Sequence, residues 1–163
     1  MSSVKNNLSV VKGKPTPDAS DSVIGIVWAE WNKEITLAMK DGAVKTLIEN
    51  GVKTENIIVK TVPGSFELTL GAQWMAEYTE VEAVICIGCV IQGETRHFEF
   101  ICNAVAHGIT ELNREFSLPF IFGVLTPDNF QQALDRAGGK HGNKGIEAAI
   151  TAIKMLALEN SFD

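Results

Sequence analysis

The chain has 163 residues, 45% hydrophobic and 21% charged, with a formal net charge of −6. A chain this long fits one domain and buries roughly 70% of the surface its unfolded form exposes, so neither disulfides nor metal are required to hold a core. The acidic balance excludes a broad nucleic-acid footprint, which would be basic, and leaves room only for a local phosphate patch.

Residues 1–20 carry Gly13, Pro15 and Pro17, which break any regular pattern, and read as a flexible arm; residues 21–163 are expected to form the single domain. The arm lacks the apolar run of a secretory signal, and no segment is apolar for long enough to span a bilayer. Three cysteines give no disulfide framework, and reduced thiols point to the cytoplasm.

Residues 22–29 (SVIGIVWA) are short, apolar and β-branched, the pattern of a strand buried on both faces. Residues 33–50 place Leu37, Val44, Leu47 and Ile48 at helical spacing, and Gly51 follows as the left-handed stop. Residues 56–62 (NIIVKTV) predict a second strand, and Lys60 within it marks a sheet edge. After Pro63-Gly64, residues 65–78 predict a helix whose apolar side chains (Phe66, Leu68, Leu70, Trp74, Met75) point nearly all round, which implies burial beyond one subunit.

Residues 81–91 predict a long buried strand, 92–95 a loop, and 96–116 a helix with Ile101, Val105, Gly108 and Leu112 on one face. Residues 119–125 (PFIFGVL) predict a fourth strand. Thr126-Pro127-Asp128 has the composition of a helix start capped by Thr126, with the helix running to about Ala137. Residues 138–145 (GGKHGNKG) predict a flexible basic loop. A last helix carries Ile146, Ile150, Ile153 and Ala157. Apolar strands alternating with amphipathic helices predict an α/β fold with a parallel sheet covered on both faces and right-handed crossovers.

In such sheets ligands bind beyond the C-terminal ends of the strands. Those ends carry Glu30-Trp31-Asn32, then Pro63 to Glu67, then Gly88 to His97, then Thr126-Pro127. Aromatic, carboxylate and imidazole groups therefore collect at one rim. Gly93-Glu94-Thr95 opens a helix, where free N–H groups favour an anion. Each feature also has a plain structural reading. His97 and Glu67 suit a first helical turn, Trp31 suits packing, and Arg136 and Lys144 suit a solvated surface. Cys86 and Cys89 have a metal-like spacing, but residues three apart on a strand face opposite ways, so no metal is expected. Cys102, His107 and His141 read as structural.

Several ordered blocks together resemble the lumazine synthase family. They are Trp31-Asn32, Val62-Pro63-Gly64-Ser65-Phe66-Glu67, the run from Gly88 to Glu99 with Gly93-Glu94-Thr95-Arg96-His97-Phe98, Phe122 to Thr126, Arg136-Ala137-Gly138, and Gly142-Asn143-Lys144-Gly145. The resemblance implies a flavodoxin-like three-layer sandwich, a central four-stranded parallel sheet with helices on both faces. It also implies condensation of 5-amino-6-(D-ribitylamino)uracil with 3,4-dihydroxy-2-butanone 4-phosphate to 6,7-dimethyl-8-ribityllumazine, with loss of phosphate and water and no cofactor.

By resemblance, Trp31, Asn32, Ser65, Phe66, Glu67, Cys89, Val90, Ile91 and Phe122 take the pyrimidine and its ribityl chain. Glu94, Thr95 and Arg136 take the phosphate, Lys144 adds charge, and His97 moves protons. Trp31 offers a stacking face, Glu67 accepts from hydroxyls, and an imidazole suits proton transfer near neutral pH. Cys89 and Glu94 depart from the residues common at those positions in the family. The resemblance further implies a pentamer with the site between subunits, Phe122 and part of the 96–115 helix reaching the neighbouring one. The uninterrupted 138–145 segment points to an icosahedral shell, with riboflavin synthase as a candidate partner. The competing readings are a non-catalytic flavin-binding protein, a structural shell protein of the same fold, and a flavodoxin-type electron carrier. The last would want a Ser/Thr-rich loop where Glu30-Trp31-Asn32 stands.

Overall fold

The computed structural model describes residues 17–162. Residues 1–16 of the expected arm lie outside the described residues, and Ala19, at the far end of that arm, is buried in the core. The elements in chain order are β1 (Ile24–Ala29), α1 (Lys33–Glu49), β2 (Ile57–Val62), α2 (Leu68–Tyr78), β3 (Ala83–Cys89), α3 (His97–Phe116), β4 (Phe120–Leu125), α4 (Phe130–Leu134), β5 (Ala137–Gly139), β6 (Gly142–Asn143) and α5 (Lys144–Glu159).

The four long strands form one parallel sheet in the order β2-β1-β3-β4. β3 lies inside the sheet and is buried at all seven positions, which is why its sequence is continuously apolar rather than alternating. β2 lies at an edge, and Lys60 on it is exposed as its charge predicts. One face of the sheet packs against Ile35, Met39 and Leu47 of α1 and Ile153 and Leu156 of α5. The other packs against Leu68, Ala72 and Met75 of α2 and Val105, Ile109 and Leu112 of α3. The result is three layers, with α1 and α5 on one side and α2 and α3 on the other. Cys89 belongs to the first core and Cys86 to the second, so the two thiols face opposite sides of the sheet.

Local expectations shift in four places. α1 turns Ile35, Thr36, Met39, Ala43, Thr46 and Leu47 inward, while Ile48 is exposed; small and polar residues share the inner face because α5 crosses closely there. The helix expected from residue 65 begins as a 3-10 turn at Ser65–Glu67. The helix expected to be capped by Thr126 is instead capped by Asn129, whose side chain accepts from the Gln132 N–H at 3.0 Å, and it ends at Leu134. An Asn side chain in extended backbone is as good a cap as a Thr, and the composition of 126–129 offered both.

The fourth shift is the 138–145 segment. It is a β-hairpin in which β5 pairs antiparallel with β6, not an open loop. Gly138 and Gly142 take left-handed backbone (φ 129° and 77°) to close it.

Candidate active site

β1 is followed by α1 on one face of the sheet, and β3 by α3 on the other. The chain therefore departs in opposite directions from two neighbouring strands, and a crevice opens at their C-terminal ends. Parallel sheets place ligands at such a switch point.

A cleft of about 600 Å³ occupies this position, lined by Trp31, Asn32, Gly64, Ser65, Phe66, Glu67, Cys89, Val90, Ile91, His97 and Ile101. Three segments separated by some thirty residues each along the chain supply it. The Trp31 ring stands 71% exposed over the opening. The Trp31 backbone N–H donates to the Pro63 carbonyl at 3.1 Å, and the Glu30 backbone N–H donates to the Val62 carbonyl at 2.8 Å, tying the turn after β1 to the end of β2. On the other side the Asn32 Nδ2 donates to the Cys89 carbonyl at 2.9 Å.

Ser65 reaches the floor because residue 88 is glycine: a Cβ there would lie 2.6 Å from the Ser65 Oγ. That Oγ is buried without a hydrogen-bond partner among the described residues. A buried hydroxyl left unpaired costs about 1–3 kcal/mol, so this point of the cleft wall is able to take a polar partner. Burial pushes the Cys89 thiol up to about 12, so it presents a neutral wall rather than a nucleophile at neutral pH.

His97 is the first residue of α3 and is exposed at the cleft. Its backbone N–H donates to the Thr95 Oγ1 at 3.4 Å. Glu94 and Thr95 are exposed on the loop before α3 and line neither this cleft nor the next one.

Phe122, Arg136 and Lys144 are elsewhere. They line a second cleft of about 790 Å³ that runs along β4 and α5, together with Thr126, Gln132, Glu147 and Thr151. Arg136 Nη1 donates to the Gln132 carbonyl at 3.0 Å. Lys144 Nζ pairs with Glu147 Oε2 at 2.7 Å, and the buried Glu147 Oε1 has no hydrogen-bond partner among the described residues. Asp135 anchors the hairpin: Lys140 and Gln131 bond its carboxylate and hold it below the usual range.

Within one chain the expected site is thus divided. The pyrimidine residues other than Phe122, with His97, form one cleft, and the cationic residues with Phe122 form another. Sequence reasoning missed Ile101 and Glu147; for Glu147 the available signal was a carboxylate three residues after Lys144, the spacing of a helical ion pair.

The molecule is a parallel α/β sandwich with a mixed aromatic and polar cleft at the switch point of its sheet, the form of a small-molecule site. The family described as 6,7-dimethyl-8-ribityllumazine synthase matches residues 21–160. The chain is 64% identical to the 6,7-dimethyl-8-ribityllumazine synthase of Cytophaga hutchinsonii, covering 96% of this chain and 98% of that protein. It is 57% identical to the synthase of Parabacteroides distasonis, with coverage of 96% and 98%. Identity to that of Porphyromonas gingivalis is 53%, covering 98% and 99%. The chain belongs to the 6,7-dimethyl-8-ribityllumazine synthase family.

Proposed function

We infer that this chain is a transferase of riboflavin biosynthesis. It condenses 5-amino-6-(D-ribitylamino)uracil with 3,4-dihydroxy-2-butanone 4-phosphate to 6,7-dimethyl-8-ribityllumazine, releasing phosphate and water. The observation that carries this reading is the convergence of Trp31, Ser65–Glu67, Cys89, Val90, Ile91 and His97 on one cleft.

The flat pyrimidine stacks on Trp31 with its edge against the backbone of Cys89, Val90 and Ile91, and Ser65, Phe66 and Glu67 hold the ring and ribityl chain, with Asn32 at the base of the Trp31 turn. The phosphate ester lies against Glu94 and Thr95 at the N-terminus of α3, where N–H groups and the helix dipole favour an anion. His97 moves protons through imine formation, phosphate elimination and ring closure. Much of the remaining acceleration comes from holding two substrates face to face.

Phe122, Arg136 and Lys144 join the site from a second copy of the chain. Their separation from His97 within one chain supports this arrangement. Residues 21–163 act as one domain in a pentamer, and pentamers build an icosahedral shell in the cytoplasm. A stripe of exposed apolar side chains supports the assembly: Leu70, Trp74 and Tyr78 on α2, with Phe66 in the turn before it, recur every four residues. Riboflavin synthase is the partner such a shell suits. Among the described residues no helix is long and apolar enough to cross a membrane.

The test is to mix the protein with both substrates and follow the fluorescent lumazine, omitting each substrate in turn. Product above the uncatalysed background, lost in the His97→Ala, Arg136→Ala double variant, is the expected result. An assembled protein that gives no acceleration overturns the reading. Light scattering that finds pentamers alone overturns the shell.

A further inference from the structure

Asn32 occupies the N-cap of α1 in a left-handed backbone, φ 59° and ψ 44°, yet its side chain caps nothing. An asparagine at a helix N-cap ordinarily accepts one of the free N–H groups of the first turn. Here the helix receives only the Asn32 main-chain carbonyl, which accepts from the N–H groups of Ile35 at 2.9 Å and Thr36 at 3.1 Å. The amide is sent the other way, and its Nδ2 donates to the carbonyl of Cys89. Asparagine tolerates the left-handed region that this requires better than most residues.

That bond crosses the crevice between the ends of β1 and β3, the two walls from which the chain departs to opposite faces. Trp31, the preceding residue, is already tied to Pro63 on its other side. The turn carrying the aromatic face is therefore clamped between the ends of β2 and β3. The same bond engages the carbonyl of Cys89, which leaves the carbonyl of Val90 and the backbone of Ile91 as the next polar groups along this wall for a ligand edge. Val90 and Gln92 N–H groups are committed to Leu125 and Pro127 of the neighbouring strand end, at 2.8 and 3.0 Å, so this wall is fixed from behind.

We propose that Asn32 is a positioning residue for the pyrimidine substrate: its amide latches the Trp31 turn to the end of β3 and sets the width of the slot between them, at the expense of the helix cap. The proposal rests on the functional reading above and deepens it, since residue 32 acts through Trp31 and the β3 end.

Two variants separate this role from a structural one. Asn32→Gly keeps the left-handed backbone without strain and removes only the latch. Asn32→Asp cannot donate to a carbonyl, but a carboxylate at a helix N-terminus maintains or raises stability. Steady-state kinetics of the full chain, varying each substrate, are measured alongside thermal unfolding. In both variants KM for the ribitylamino-uracil should rise roughly tenfold, the size of one lost hydrogen bond. KM for the phosphate ester and kcat should hold, and Asn32→Asp should unfold no earlier than wild type. Unchanged pyrimidine KM in both variants overturns the latch, as does a parallel fall of every kinetic constant with lost stability. A wild-type chain that makes no lumazine overturns the functional reading instead.

Discussion

The backbone N–H of Lys144 donates to the carbonyl of Arg136 at 2.9 Å. This single main-chain bond, one residue beyond the β5–β6 pairing, brings two cations eight residues apart to the rim of the same cleft. The hairpin that achieves it depends on glycines at positions 138 and 142, where the backbone is left-handed.

Arg136 should act on one substrate only. Arg136→Ala is expected to raise KM for the phosphate ester by roughly ten- to a hundredfold, because a hydrogen bond to a charged group is worth about 1.5–3 kcal/mol. KM for the pyrimidine should change little. Arg136→Lys should recover only part of the loss, since an ammonium lacks the planar fork that grips two phosphate oxygens. Equal rises in both constants would remove Arg136 from the phosphate site.

Asn143 holds the hairpin to the body. Its Nδ2 donates to the carbonyls of Ala38 at 2.9 Å and Ala137 at 3.3 Å, and its Oδ1 accepts from the Gly145 N–H at 2.8 Å. Asn143→Ala removes a helix cap and strands buried carbonyls, and should cost about 2–4 kcal/mol of stability in denaturant unfolding. A shift smaller than half a kilocalorie, on the order of an ordinary surface change, would show that the network is not what secures the hairpin.

Two glycine substitutions should behave in opposite ways. A Cβ on Gly145 would lie 1.8 Å from the Met39 carbonyl oxygen, where α1 and α5 cross, whereas a Cβ on Gly93 meets nothing within 4 Å. Overpacking against backbone cannot be relieved by turning a side chain. Gly145→Ala is expected to leave little folded protein in the soluble fraction, and Gly93→Ala to unfold at the wild-type midpoint. Soluble, native-like Gly145→Ala would mean that the helices can separate without loss.

Alkaline pH should destabilise the fold through the buried thiols. Burial pushes Cys86 and Cys89 up to about 12 from an ordinary 9.0. Above about pH 9 the unfolded chain releases protons that the folded chain retains, so the contribution is complete below pH 9 and is lost as pH rises through about 12. The unfolding midpoint should fall across that interval, and less steeply in Cys86→Ala. Parallel slopes for the two proteins would assign the alkaline loss to other groups.

Much of the fold is legible in the chain itself. Four apolar runs and the amphipathic segments between them specify a parallel sheet with helices on both faces, because a strand buried on both sides cannot alternate and a crossover must be long enough for a helix. Lys60 marks its edge for the same kind of reason, a charge being tolerated only where water reaches. The cleft residues at the ends of β1, β2 and β3 are also legible, since ligands gather where parallel strands end. Short-range choices are less so. Thr126 and Asn129 compete for one cap, and only the path of the chain into α4 selects Asn129. The hairpin at residues 137–143 hides in a glycine-rich string that reads as a loop because two short strands bring no periodicity.

The sequence by itself determined the layers, the strand ends and the kinds of side chain presented there, because hydrophobic period and local backbone chemistry act over a few residues. Tertiary structure alone decided that Asn32 abandons its helix to hold Cys89, and that Ser65 sits against a glycine. It also decided that Arg136 and Lys144 face a different cleft from His97. Those outcomes depend on which distant segments become neighbours, and sequence spacing carries no record of that distance.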